Sequence, residues 1–273
     1  MIRSPAVAGQ FYSGSVSGLK EQVEGCLEDV KDKVPALGVV CPHAGLMYSG
    51  KVAGAVYSRI RMPDTFVMLG PNHFGLGPDY SIMTDGIWRM PFGDVRVDPI
   101  VAKEVFRHSR HLEEDMFAQE REHSLEVQLP FMQHFSRDFQ IVPLCLRHYE
   151  PDDGFLRVCE EIGHDIASAL KALKCSCTIV ASSDLTHYQS REVANENDMA
   201  ALDAVAALDA KRLFREVRER EISMCGYAPV AAMLTACRDL GARKAELVKY
   251  LTSGDVTGDY GQVVGYGGMI VRK

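Results

Sequence analysis

Residues 65–75 read TFVMLGPNHFG, and the fold turns on how this stretch is read. A short apolar run, Phe66 to Leu69, stops at Gly70-Pro71 and is followed at once by Asn72 and His73. A run of this length bounded by glycine and proline predicts a buried strand that ends in a loop. A histidine on the first turn beyond such a strand either satisfies a bend or occupies the place where sheet proteins keep their chemistry.

Two other stretches have the same shape. LGVVC at 37–41 stops at Pro42-His43-Ala44-Gly45, and the apolar run 178–181 stops at Ser182-Ser183-Asp184, with His187 three residues on. Helical periodicity fills much of the remainder: 19–30, 51–60, 99–108, 124–135, 152–173, 192–208, 210–220 and 227–240, the last stopped by Gly241. Ser124 and Glu126 suit the start of the fourth of these. Residues 82–97 read as irregular hairpin structure. Residues 140–146 read as a strand, with Pro143 predicting an edge or a bulge. Strands at 245–252 and 262–271 close the chain with no helix between them. Alternating helices and buried strands predict a single α/β domain over 1–273. It is a sandwich with helices on both faces of a central sheet that is mostly parallel but mixed.

Composition narrows the function. With 273 residues, 47% hydrophobic, 25% charged and a net charge of −7, the chain has no basic block, so nucleic acid is not an expected partner. An acidic surface disfavours anionic lipid, and no apolar run approaches the roughly 18 residues that would span a membrane. The first residues lack the apolar core of a signal peptide, so a cytoplasmic protein is expected. Eight cysteines show no CxxC pair and no zinc-ribbon spacing. Most are expected to be small buried hydrophobes. Cys175-Ser176-Cys177 leads into a strand, and with side chains sent to alternating faces the two are not expected to act jointly.

In open α/β sheets, ligands bind beyond the carboxyl ends of the strands. Parallel neighbouring strands would bring His43, His73, His187 and Asp184 to one crevice. Imidazole suits Fe, Cu, Zn and Ni. A lone histidine more often satisfies a turn, whereas three at successive strand ends favour a functional reading. Cys225, in ISMCGYAPVAAML, precedes the helix beginning at 227. The helix dipole would favour its thiolate, and Gly226 would let backbone approach a ligand. A buried structural thiol is an equal reading of these residues. His123, in EREHSLEVQLPF, is either an acid or base near the site or a helix cap. The remaining histidines (108, 111, 134, 148 and 164) are read as structural. The glycine clusters at 75–77 and 265–268 are followed by no helix and make no dinucleotide fingerprint. Ser182, Asp184 and His187 lack a nucleophile elbow.

RSPAVAGQFY at 3–12, PHAG at 42–45, LGPNH at 69–73, EHSLEVQLPF at 122–131, SSDLTHY at 182–188 and CGYAP at 225–229 resemble, in that order, the motifs of the Memo family. Its microbial members are often labelled AmmeMemoRadiSam system protein B. The resemblance implies a fold similar to that of class III extradiol ring-cleavage dioxygenases. It also implies a metal pocket lined by His43, His73 and Cys225, with His187, His123 and Asp184 beside them as acid–base and orienting groups. Fe(II) or Cu is the implied cofactor, and Zn is a further candidate. An AMMECR-type protein and a radical SAM protein are the implied functional partners. Cys225 replaces the carboxylate that ring-cleaving dioxygenases use, and a thiolate shifts preference toward softer ions. Phe74 stands where many animal members carry a second histidine. The expected function is a non-haem metal-dependent redox enzyme of dioxygenase type acting on a small-molecule or peptide substrate. The alternatives are a phosphopeptide- or C-terminus-binding module and a metal-dependent hydrolase.

Overall fold

A computed structural model describes residues 1–273. Twelve strands form one sheet. Its centre is four parallel strands in the order Gln140–Arg147, Thr65–Asn72, Cys177–Ser182, Gly38–Cys41. Val263–Arg272 continues the sheet antiparallel to Gly38–Cys41 and pairs on with Lys244–Thr252. Short strands of the N-terminal third, among them Ile87–Trp88 and Val95–Val97, extend the opposite end. The sheet is thus mixed, with a parallel core, as the helix–strand alternation predicts.

Both faces are covered, which is why the central strands are continuous apolar runs and not alternating ones. Every residue of Gly38–Cys41 and Thr65–Asn72 is buried. Helix Leu46–Arg59 lies on one face. Helix Tyr227–Asp239 lies on the other, pressed between the sheet and helix Asp153–Leu173. A helix buried on all sides must be apolar all round, and Tyr227 through Cys237 are buried without a break. The long helix comes close because Gly163 has no side chain: a Cβ there would lie 2.5 Å from the Ala232 carbonyl oxygen.

Several sequence-based boundaries shift for identifiable reasons. The strand read as ending before Gly70-Pro71 runs through both to Asn72. Pairing with Cys177–Ser182 stops at Leu69, so Pro71 sits where one flank of the strand is already free, the setting in which a sheet tolerates proline. Gln140–Arg147 is internal and not an edge. Its outer flank is shared by Val95–Val97, which pairs with Gln140 and Ile141, and by Tyr80–Ile82, which pairs with Leu144 to Leu146. Pro143 falls between these two partners. The helix expected over 124–135 is a 3-10 turn, Glu126–Gln128, followed by helix Leu129–Phe135. The first helix ends at Glu24, beyond which the Glu28 side chain is drawn off by Arg59 and Lys249.

Candidate metal centre

The parallel strands deliver three loops to one edge. His43 follows Gly38–Cys41, His73 follows Thr65–Asn72, and Asp184 follows Cys177–Ser182. A fourth loop, 121–125, brings His123. The ring nitrogens of His43, His73 and His123 offer donor atoms that all lie within 4.8 Å of one another. His73 and His123 stack at 4.7 Å between centroids, and His43 stands edge-on to both, at 5.1 and 5.5 Å.

Hydrogen bonds at the back of the His43 and His73 rings decide which nitrogen of each faces the centre. Ser182 Oγ donates its single proton to the Ser124 carbonyl at 2.6 Å and accepts from Gln128 Nε2 at 3.0 Å. Gln128 is held in that orientation because its Nε2 also donates to the Pro42 carbonyl and its Oε1 accepts from Tyr57. Ser182 Oγ can therefore only accept from His43 Nδ1, 3.0 Å away. His43 carries its proton on Nδ1 and presents Nε2 as a bare lone pair. Burial, then the charges of His73, His123 and His187, hold its pKa well below the usual histidine range, so the ring is neutral near pH 7.

Glu122 does the same for His73. Its Oε1 accepts from His73 Nδ1 at 2.9 Å and its Oε2 from the His73 N–H at 2.8 Å. It also accepts from the His123 and Ser124 N–H groups, both at 2.9 Å. Burial alone would raise its pKa. The His73 hydrogen bond and charge, the His123 charge and the Ser124 N–H outweigh burial and hold the carboxyl at about 2. Burial likewise lowers the His123 pKa, against the pull of Glu122. Three converging imidazoles, two of them with the second ring nitrogen bonded to a hydroxyl (His43) or a carboxylate (His73), are the donor set of a metal site with part of its outer shell in place, so the residues fit a bound ion.

Asp184 is buried beneath the centre and accepts from the His43 N–H at 2.7 Å. It therefore positions the His43 backbone. Burial pushes its pKa up to about 6, against the His43 N–H and the His187 charge. Cys225 Sγ lies 3.2 Å from His43 Nε2 but outside the mutual group of three. Burial, with the Asp184 charge adding, pushes its thiol up. This is opposite to the dipole-stabilised thiolate that its place before a helix suggests, and a metal ion would be needed to take the proton off. The close approach that Gly226 permits is to backbone and not to a ligand. Its N–H donates to Ser183 Oγ at 3.0 Å, and a Cβ there would sit 2.4 Å from the Ser182 carbonyl oxygen.

His187 lies apart from the three rings. Its Nδ1 is bonded to the Leu185 and Ser223 carbonyls at 2.7 and 2.9 Å. Carbonyls only accept, so Nδ1 carries the proton and Nε2 is free to take one. His187, His73 and Cys225 line one cleft of about 640 Å³. Asn72 and His148 line it too. The Asn72 Oδ1 is buried with no partner in the protein. His148, read from sequence as structural, packs edge-on to Tyr227 on this wall. Glu122, Ser182, Gln128 and Asn72 escape single-residue reasoning. Glu122 and Ser182 do stand inside the recognised motifs EHS and SSD, and Asn72 immediately precedes His73.

The chain matches the model for Memo-like protein over residues 3–270. A MEMO1 family protein of Methanocaldococcus jannaschii is 42% identical over 290 residues, covering 99% of each chain. One of Nitrosopumilus maritimus is 40% identical over 277 residues, covering 98% of each. Among solved structures, an uncharacterized protein of Escherichia coli K12 aligns with a TM-score of 0.54 at 12% identity, over 85% of this chain and 98% of that one. That likeness is one of fold. No helix is long and apolar enough to cross a membrane.

Proposed function

The chain belongs to the Memo-like protein family, and from that premise we propose that it is a metal-dependent redox enzyme acting on a small organic molecule held in the cleft beside His73, His187 and Cys225. The observation that supports this reading is the convergence of three imidazoles, one of which, His73, lines an open cleft. Bound there, Fe(II) or Cu would supply one-electron and oxygen chemistry. His43, His73 and His123 hold the ion. Cys225 is a further donor next to His43, and its softness weights the choice toward Cu(I) or Zn if it binds as thiolate. His187 Nε2 takes a proton from the bound molecule, Asn72 Oδ1 accepts a hydrogen bond from it, and Asp184 keeps the His43 backbone in place.

The test is oxygen uptake by protein purified anaerobically and reloaded with Fe(II) or Cu(I), presented with a panel of catechols and other phenols. Metal-dependent uptake is expected. It should fall by about 10²-fold or more in His187→Ala, the ordinary loss for an acid–base group, while metal content is unchanged. Uptake that is indifferent to the metal counts against the reading. Ester or amide hydrolysis without oxygen would mark a metal-assisted hydrolase instead.

A further inference from the structure

At the far end of strand Cys177–Ser182, roughly 17 Å from the metal centre by strand rise, two cysteines meet. Cys175 Sγ and Cys177 Sγ are 3.3 Å apart. Sequence reasoning set this pair aside on the ground that strand residues alternate. Alternation in fact returns residues i and i+2 to the same face, and the structure puts the two sulfurs in contact. The chain reverses just before them, at Lys174 in the left-handed conformation that ends helix Asp153–Leu173. Both thiols are partly exposed and free. They open on a hollow of about 450 Å³ whose wall includes Leu37, Leu170, Leu240 and Arg272.

We propose that Cys175 and Cys177 form a redox-active dithiol, reversibly oxidised to an intramolecular disulfide by exchange with a low-molecular-weight disulfide that enters this hollow. Two features select exchange over metal capture. Structural zinc takes four ligands, and no third histidine, cysteine or carboxylate joins the pair as it does at the histidine centre. A disulfide needs only the two sulfurs, which must close from 3.3 Å to about 2.05 Å. An exposed disulfide between such near neighbours belongs to the labile class and not to the structural one. In a reducing compartment, pairs of that class are transient or redox-sensing.

The exchange balances as two steps. The Cys175 thiolate attacks one sulfur of the small disulfide, and the other sulfur leaves as thiolate and takes up a proton. Cys177 then loses its proton and attacks Cys175 Sγ, expelling the second small thiol. Two electrons pass from the pair to the small disulfide, which ends as two thiols. Burial and the neighbouring thiol push the Cys177 pKa up, which suits Cys175 as the attacking group. Four of the other six cysteines are fully buried and should not compete.

The full-length protein is equilibrated across glutathione disulfide-to-thiol ratios, quenched in acid, denatured and alkylated. The count of alkylated thiols should fall from eight to six in one cooperative step. The loss should map to the peptide holding residues 175 and 177. Cys177→Ser should instead accumulate a glutathione mixed disulfide at Cys175. A pair that stays fully alkylated at the most oxidising ratio, or a loss that maps to other cysteines, would overturn the proposal.

Discussion

Glu126→Ala should cost about 3–5 kcal/mol of folding stability, the range for removing one partner of a buried ion pair. Glu126 is fully buried. Its Oε2 accepts from Arg3 Nη1 at 2.6 Å and from the Ala6 N–H at 2.7 Å, and its Oε1 accepts from the Val7 N–H and the Tyr12 hydroxyl. Burial, with the Glu126 charge adding, pushes the Tyr12 pKa up, so Tyr12 stays a donor. Arg3 is almost as deeply buried, lies over the Trp88 ring at 4.0 Å, and donates onward to the Gln119 and Glu122 carbonyls. Without Glu126 the guanidinium is left buried and uncompensated, and that uncompensated charge is the source of most of the loss. Urea unfolding of the two proteins measures it. A shift below about 1 kcal/mol, the value of a surface pair, would contradict this account of the N-terminal segment. Replacing Arg3 and Glu126 together by apolar residues should recover part of the loss, because no buried charge is then left without its partner.

Glu122→Gln should weaken metal binding by roughly 10- to 100-fold, the usual cost of losing the carboxylate behind a ligand histidine. The carboxylate accepts four hydrogen bonds and donates none. An amide in its place must point one N–H₂ group at a donor. The His73 ring then loses the anchor that fixes its tautomer. Titration against a chromophoric chelator reads the affinity, and an unchanged value would show that Glu122 does not support the site. The same substitution has a signature in acid. Because the folded-state pKa is depressed from 4.5 to about 2, the carboxylate stabilises the fold fully above its ordinary value, and that contribution is lost as the pH falls toward 2. Glu122→Gln should lack this acid limb.

The strand ends were legible because their signals are local: an apolar run, then Gly or Pro, then a polar residue. That logic placed His43, His73 and Asp184 at one edge, and the parallel register puts them there. His123 is different. Its loop follows no parallel strand of the core, and sequence reasoning, with the family resemblance, set it beside the metal as an acid–base group, whereas its ring stands among the three mutually close imidazoles. The supporting shell was not legible, because Ser182, Gln128 and Glu122 act through bonds that join segments 49 to 139 residues apart. At Cys225 two local rules competed, dipole against burial, and burial prevails in the folded chain. Proline was over-read twice: Pro71 and Pro143 lie inside internal strands, at points where a neighbouring strand has ended.

Metal uptake by the triple variant His43→Ala, His73→Ala, His123→Ala tests the centre most directly. Protein prepared without chelator, dialysed and titrated anaerobically with Fe(II) or Cu(I), should take up one ion per wild-type chain at high affinity. The triple variant should take up none at that affinity while it unfolds cooperatively in urea like the wild type. Equal uptake by the two proteins would contradict the assignment of these three imidazoles as the metal centre.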